Sequence, residues 1–522
     1  MLTGDMLIGT TWVRGGDGGF RAIDPARGHE IDPEFGHGTD AEVDAAASLA
    51  ADAFDEYRAT SPVERAKFLD AIAARIDAAS DAIVARAQLE SGLPVARLEG
   101  ERARTTGQLR LFASLLRGGT ASGVRVDPAQ PHRSPQPRLD IRQRLVPVGP
   151  VAVFGSSNFP LAFSNAGGDT AAALAAGCPV VVKVHGAHPG TAMLVSVAVR
   201  DAVIECGMPE GVYSALIGRG TAVGAALVAH PAIAAVGFTG SRSGGLALVD
   251  IARRRPVPIP VFAEMSSINP VFVLPSRATA EVAREYVASL TLGAGQFCTN
   301  PGIVFAPRGD AGDAFVAAVG EAVAATSGQT MLTPAICDAF RSGVDALEGA
   351  GVDVIGRGAP GDGPNAPRPV VFGADAARLD DEVLRSEIFG AASLVVRYDD
   401  TADLAAHAER LEGQLTATIQ AGDDEHDAVR SLLPVLERKV GRILYNGWPT
   451  GVEVGHAMVH GGPYPATSDA RFTSVGSLAI ARFQRPVAYQ NLPDDLLPPP
   501  VKDANPWQQV RLVDGAIEGL VR

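Results

Sequence analysis

Four cysteines in 522 residues are too few and too scattered to organise a fold. Cys178, Cys206, Cys298 and Cys337 make no CxxC pair and no Cys/His cluster with zinc spacing, so no metal centre is expected. A disulfide framework is equally unexpected in a reducing compartment. Cations are short too: 45 Lys and Arg stand against 59 Asp and Glu, and the net charge of −14 argues against nucleic acid as a partner. The opening MLTGDMLIGTTWVRGGDGGF has no basic start followed by an apolar run, so no signal peptide is read. Membrane spans need roughly 20 predominantly apolar residues. The best apolar stretch, LIGRGTAVGAALVAHPAIAAVGF, is broken by Arg219, His230 and Pro231. A cytoplasmic protein with no membrane partner is the expectation.

What is present is periodic. From Ala41 to about Leu116, DAEVDAAASLAADAFDEYRA and SPVERAKFLDAIAARIDAASDAIVARAQLESG repeat apolar positions at three and four, as amphipathic helices do. SPVE reads as a capping box, Ser61 as N-cap and Glu64 reaching back. After the turn-rich DPAQPHRSPQPR, LDIRQRLVPVG alternates like an exposed strand. At Val148 the texture changes. VGPVAVFG, CPVVVKV, GVYSALIG and AAVGFTGS are short β-branched runs, with helices expected between them around Pro189–Cys206 and Thr221–Val228. Strands alternating with helices imply parallel strands joined by crossovers. A second such block, with INPVFVLP, GIVFAP and AASLVVRY, runs from near Val261 past Gly447. GSLAIARFQRPVAYQNLP looks strand-like before a proline-rich end. Two α/β domains fit, with segments near 128–147 and 472–493 as protruding strands.

Three segments hold chemistry. GAGQFCTNPG places Cys298 among small residues, where it is either a buried filler or a nucleophile. A nucleophilic thiol needs access, a base and donors for the oxyanion that follows attack. Glu264 in EMSSINP lies 34 positions earlier, and Asn158 in SSNFP offers an amide. Read singly, Glu264 is a strand-end charge and Asn158 a turn residue. VGFTGSRSGG is a strand entering a glycine turn at Gly240 and Ser241 with a helix after it, a shape that aims backbone N–H groups at a pyrophosphate, although it departs from GxGxxG. Lys183 in VVVKVHGAHPG ends another strand, at the sheet edge where α/β folds bind ligands.

Together and in this order, PVGPVAVFGSSNFP, VVVKVHGAHPG, FTGSRSGG, FAEMSSINP, GQFCTN and SEIFG resemble the aldehyde dehydrogenase superfamily over almost the whole chain. Within it, GQFCTNPG, FAEMSSINPVFVLP and HGGPYPATSD are most similar to the branch that includes α-ketoglutarate semialdehyde (2,5-dioxopentanoate) dehydrogenases; fatty-aldehyde enzymes share part of this vocabulary. The resemblance implies an α/β fold. A Rossmann-type cofactor domain would take 1–127 and 148–262, and a catalytic domain 263–471. A β oligomerisation arm would take 128–147 and 472–493, leaving 494–522 as a tail in a homodimer or homotetramer. It implies that the Cys298 thiolate attacks an aldehyde, that Asn158 and the Cys298 N–H hold the oxyanion, and that hydride leaves for NAD(P). Glu264 then activates water to hydrolyse the thioester. For the cofactor it implies Glu387 and Phe389 at the nicotinamide ribose, Lys183 at the adenosine ribose and Ser241 at the pyrophosphate.

Departures from the family pattern refine this expectation. Where NAD-preferring relatives carry an acid three positions after the lysine, this chain has Gly186, flanked by His185 and His188. Removing that repulsion favours NADP over NAD, with Lys183, His185 and Arg219 as candidate phosphate partners. ELGG is replaced by EMSS, a proline by Ala391, and the tryptophan before NFP by Ser157. His460 stands where many relatives have an aromatic residue, either tuning the thiol or lining the pocket. The arginine of succinate-semialdehyde relatives is Ala166 here, so Arg104 on ERARTTGQLRLF is the candidate for a distant substrate carboxylate, and Phe163 and Phe297 are expected to line the tunnel. A fatty- or aromatic-aldehyde dehydrogenase and a thiol hydrolase without redox role are the rival readings.

Overall fold

The computed structural model describes residues 2–218 and 220–518; Arg219, one of the candidate phosphate partners, lies outside them. Five short apolar runs form the parallel part of the first sheet, in the order Val261–Glu264, Ala235–Thr239, Val151–Phe154, Val180–Lys183, Tyr213–Leu216. Most positions of these strands are buried, as expected where helices cover both faces. The crossovers are helices Gly168–Ala176, Pro189–Cys206, Ala222–Ala229 and Arg242–Arg254. Two strands not foreseen from sequence, Met6–Ile8 and Thr11–Val13, extend the sheet antiparallel beyond Tyr213–Leu216.

Helices Asp40–Ala59, Pro62–Ala78, Ser80–Ser91 and Val95–Arg117 realise the periodic first quarter. The Ser61/Glu64 capping box is formed, Glu64 N–H donating to Ser61 Oγ at 3.2 Å and Ser61 N–H to a Glu64 carboxylate oxygen at 2.7 Å. Thr39 and Glu42 build a second box on the preceding helix. These helices pack their apolar faces on the first sheet in one continuous core.

Beyond Glu264 the chain crosses within a few residues into the second sheet. Its order is Asp353–Arg357, Val370–Asp375, Ala392–Tyr398, Ile303–Pro307, Val271–Val273, Gln414–Gln420, Val440–Tyr445, parallel except at the first strand. The short crossing brings the C-terminal end of Val261–Glu264 to the start of Val271–Val273, and the site lies there.

A third sheet has five strands: Gln484–Gln490, Ile141–Pro147, Val124–Asp127, Arg511–Val513 and Ala516–Glu518. It draws on more chain than the two segments expected to protrude. Residues 511–518, read from sequence as tail, supply two strands that close over Val124 and Val126. Residues Ser477–Phe483, read as strand, form 3-10 helix, because Ala479, Ile480 and Phe483 turn into the first core instead of alternating along a sheet. None of the helices among the described residues is long and apolar enough to cross a membrane.

Candidate active site

The thiol's placement starts with backbone conformation. Helix Ala280–Thr291 gives way to the turn Leu292–Gly295, in which Gly293, Ala294 and Gly295 are left-handed at φ 57°, 59° and 70°. A Cβ on Gly295 would lie 2.3 Å from the carbonyl carbon of Gly390, so only glycine lets these segments meet. Three residues later Cys298 is partly exposed, while Phe297 and Thr299 on either side are buried. Asn269, fully buried and itself left-handed, fixes this loop. Its amide donates to the carbonyls of Cys298 and Asn300, both at 2.8 Å. Its carbonyl oxygen accepts from Ser267 at 2.8 Å and from Thr416 at 3.1 Å. Asn300 in turn donates to the Gly390 carbonyl at 3.1 Å, tying the thiol loop to SEIFG.

Around the thiol, three groups distant in sequence converge. His460 Nε2 lies 3.4 Å from Cys298 Sγ and 2.7 Å from Glu264 Oε1. The other Glu264 oxygen accepts from Ser474 Oγ at 2.8 Å. His460 and Glu264 are 1% and 3% exposed, so their pairing is nearly free of water. One ring nitrogen serves two partners: protonated, Nε2 donates to Glu264; unprotonated, it accepts the thiol proton. Burial, and then the Glu264 charge, pushes the Cys298 thiol well up, with Arg104 opposing. Burial works to raise Glu264 as well, yet His460, with help from Ser474 and Cys298, holds its carboxyl below the usual range. Ionising this thiol calls for a base within reach, and His460 Nε2 lies 3.4 Å away. The other cysteines take no part; Cys178 is buried with its Sγ 3.4 Å from the Phe483 carbonyl, and all four are free.

Asn158 meets the thiol loop from the first sheet's side, donating one N–H to the Gln296 carbonyl at 2.9 Å. An amide has two N–H donors, and among the described residues nothing accepts from the Cys298 backbone N–H, so both expected oxyanion donors have capacity in hand. Phe159, Phe163 and Phe297 form an apolar wall, with Phe163 6.2 Å from the His460 ring. Helix Val95–Arg117 braces it. Arg97 donates to the Asn158 carbonyl at 3.2 Å and lies over the Phe159 and Phe297 rings. Glu101 accepts from the Leu161 and Ala162 N–H groups at 2.8 and 3.0 Å. Arg104, one turn further, lies 5.3 Å from the Phe163 centroid, which brings this candidate to the thiol's surroundings.

Across the thiol loop, Glu387 and Phe389 share a cleft with Ser267, Phe297 and Asn300. Burial pushes the Glu387 carboxyl up to about 7, against Ser266 and the Ser267 N–H. Gly240 N–H donates to the Glu264 carbonyl at 3.1 Å, linking the glycine turn to the catalytic strand. Ser241 caps helix Arg242–Arg254, accepting from Gly244 N–H at 3.2 Å and leaving the Arg242 and Ser243 N–H groups for an anion. The neighbouring helix Pro189–Cys206 offers nothing similar: buried Glu90 already accepts from the Gly190 and Thr191 N–H groups, each at 2.8 Å. Lys183 lies at the same sheet edge, two strands from Gly240, its pKa lowered by burial. His185 stacks on His188 at 5.5 Å, and burial, followed by neighbouring His188 and Lys183, pushes its imidazole well below the ordinary range. Beside them a Cβ on Gly186 would meet nothing within 4 Å. Open space next to a lysine, and a helix start with free donors, fit a dinucleotide.

Sequence reasoning missed Asn269, Arg97, Glu101 and Ser474. Only Asn269 left a local trace, an Asn before proline next to the Glu264 motif.

Comparison with known proteins gives the family and the fold. The model of the aldehyde dehydrogenase family matches residues 12–463. Alpha-ketoglutaric semialdehyde dehydrogenase 2 of Azospirillum brasilense is 55% identical, over 99% of this chain and 100% of that protein. Alpha-ketoglutaric semialdehyde dehydrogenase of Acinetobacter baylyi is 49% identical over 91% of both. A crystal structure of an aldehyde dehydrogenase C variant from Pseudomonas syringae, complexed with NAD+ and octanal, superposes with a TM-score of 0.79 at 22% identity, covering 93% of this chain and 96% of that one.

Proposed function

The chain belongs to the aldehyde dehydrogenase family, whose members oxidise aldehydes with NAD(P), and from that premise we propose that its substrate is α-ketoglutarate semialdehyde (2,5-dioxopentanoate). The observation that carries the substrate is Arg104, a part-buried guanidinium behind Phe163 with Nε and Nη2 unpartnered among the described residues. A guanidinium with no direct ion pair among the described residues, beside a nucleophilic thiol, suits an aldehyde with a carboxylate at its other end. Both relatives at 49–55% identity bear the name of that activity.

In the proposed mechanism the Cys298 proton passes to unprotonated Nε2 of His460, which then donates it in a hydrogen bond to Glu264, and the thiolate attacks the aldehyde carbon. The resulting oxyanion takes the second N–H of Asn158 and the Cys298 backbone N–H. The nicotinamide cofactor, when bound, would supply the acceptor for the hydride whose departure turns the adduct on Cys298 into a thioester. Glu387 and Phe389 would hold its ribose in the cleft beside Cys298, Ser241 and Gly240 its pyrophosphate, and Lys183 its adenosine ribose. Glu264, with His460 on it, then takes the proton of the water that hydrolyses the thioester. Open space at Gly186 supports NADP as the preferred cofactor, because no carboxylate repels a 2′-phosphate there and Lys183 is at hand. His185 contributes a hydrogen bond and not a charge.

A nucleophile that must stay a thiol fits a reducing, cytoplasmic setting. The edge strands of the five-stranded sheet support a homodimer or homotetramer. An aldehyde panel containing 2,5-dioxopentanoate, succinate semialdehyde, octanal and benzaldehyde, assayed with NADP and with NAD, tests both halves. The highest kcat/KM is expected for 2,5-dioxopentanoate with NADP. Preference for octanal or benzaldehyde overturns the substrate, and preference for NAD overturns the cofactor.

A further inference from the structure

Two guanidinium groups hold the same turn of chain. Arg104 donates from Nη1 to the Val452 carbonyl at 2.5 Å. Arg442, on strand Val440–Tyr445, donates from Nη1 to the Gly451 carbonyl at 3.0 Å and from Nη2 to the Pro449 carbonyl at 2.7 Å. Neither is satisfied by this. Arg104 Nε and Nη2 and Arg442 Nε are buried with no hydrogen-bond partner among the described residues. Buried charged donors are costly to leave unmade, and native proteins seldom do so without cause. Of the carboxylates whose charge acts on Arg104, none hydrogen-bonds it: Glu101 takes two backbone N–H groups on Oε1 and lies 3.8 Å from Arg97 through Oε2, Glu264 takes His460 and Ser474, and Glu453 accepts from the Val454 N–H.

Register sets Arg442 on the catalytic side of its sheet. Arg442 is paired with Thr416 of strand Gln414–Gln420, and paired residues on parallel strands project from the same face. Thr416 Oγ1 donates to Asn269, and Asn269 holds the Cys298 carbonyl. From the other side, Arg104 reaches the same place through Phe163 and His460. The negative charge of the Cys298 thiolate acts on both guanidinium groups, and Arg104 acts on Arg442, as befits cations grouped around one space. The free donors of Arg104, Nε and Nη2, form one edge of its planar fork, the edge that takes both oxygens of a carboxylate side-on.

We infer that Arg442 and Arg104 together receive the substrate carboxylate remote from the aldehyde, Arg104 side-on through Nε and Nη2 and Arg442 through Nε. Arg442 is thereby a specificity-determining residue, and the receptor is complete only where a helix on the first core meets an edge strand of the second sheet. The inference rests on the semialdehyde reading of the substrate.

The test compares wild-type enzyme with Arg442→Met, Arg104→Met, the double variant and Arg442→Lys. For each preparation the ratio of kcat/KM for 2,5-dioxopentanoate to that for pentanal is measured, which cancels any inactive fraction. Each methionine variant should lower the ratio about 10- to 100-fold, chiefly through KM of the semialdehyde. The double variant should lose less than the product of the two, since one carboxylate is shared, and lysine should recover part of the loss. A role confined to propping the Pro449–Val452 turn would depress both substrates together; an unchanged ratio in Arg442→Met overturns the inference. Glutarate provides an arm independent of the substrate's identity. It should inhibit pentanal oxidation competitively, with Ki at least about tenfold higher in Arg442→Met, and an unmoved Ki overturns the receptor. If wild-type enzyme is inhibited by glutarate in this way but does not prefer 2,5-dioxopentanoate, the substrate reading fails and the receptor stands.

Discussion

At the scale of single residues, the chemistry turns on which donors and protons are free. Asn158 keeps one N–H after binding Gln296, the one that the proposed mechanism gives to the oxyanion. Replacing it by alanine should cut kcat about 10²–10³-fold, with little change in cofactor KM, in steady-state assays. Glu387 makes a different prediction, with a definite sign. Its carboxyl is pushed up to about 7, so below that pH it is protonated and above it ionised. Between the ordinary carboxylate range and pH 7 the folded protein keeps a proton that the unfolded chain has released. Its contribution to stability therefore falls as pH climbs through that window. With Glu387 holding the nicotinamide ribose as proposed, cofactor binding runs the other way, since a ribose hydroxyl needs the ionised acceptor. The cofactor KM should rise as pH drops from about 8 to about 6, by at most roughly tenfold per unit, and Glu387→Gln should flatten the profile.

Elements decide whether those residues meet. Three consecutive left-handed positions ahead of Cys298 let the loop pass under Gly390. Gly295→Ala forces a Cβ into backbone at a positive φ. With misplacements of about 1 Å costing roughly 10² in rate, kcat should collapse by at least that factor, while cofactor binding to the protein, followed by fluorescence, persists. The same elements show how much could be read in advance. Val180–Lys183 and Ala235–Thr239 announced themselves as β-branched runs ending in Lys183 and in the Gly240 turn, and Ser61 and Glu64 as a cap, because these signals are local. Ser474, Arg97 and Arg442 were not legible: each acts on a neighbour brought close only by the sheets, and none sits in a sequence pattern of its own, whereas Asn269 left a faint trace as the Asn before proline in EMSSINP. Ser477–Phe483 misled for a related reason, since alternating apolar residues suit a strand equally well until tertiary packing turns them inward.

For the whole molecule, the chain's last described strands matter more than a tail would. Arg511–Val513 pairs in register with Val124–Asp127, over the small cluster of Val124, Val126, Leu497 and Val501. Ending the chain at residue 508 should lower Tm by a few degrees, since a buried valine side chain is worth about 1.5–3 kcal/mol. The rate of Cys298 alkylation by iodoacetamide should stay the same, because the thiol sits between the other two sheets.

The meeting of Cys298, His460 and Glu264 has one more consequence. Their ligand atoms all lie within 4.8 Å of one another, although more than 190 positions separate Glu264 from His460. Thiolate, imidazole and carboxylate form a donor set that zinc favours, and zinc binding releases the thiol proton that burial otherwise retains. The arrangement proposed to ready the nucleophile thus also offers three donors to one thiophilic cation. Added Zn²⁺ should inhibit the dehydrogenase stoichiometrically and reversibly, EDTA should restore full activity, and His460→Gln should need at least about tenfold more zinc for the same inhibition.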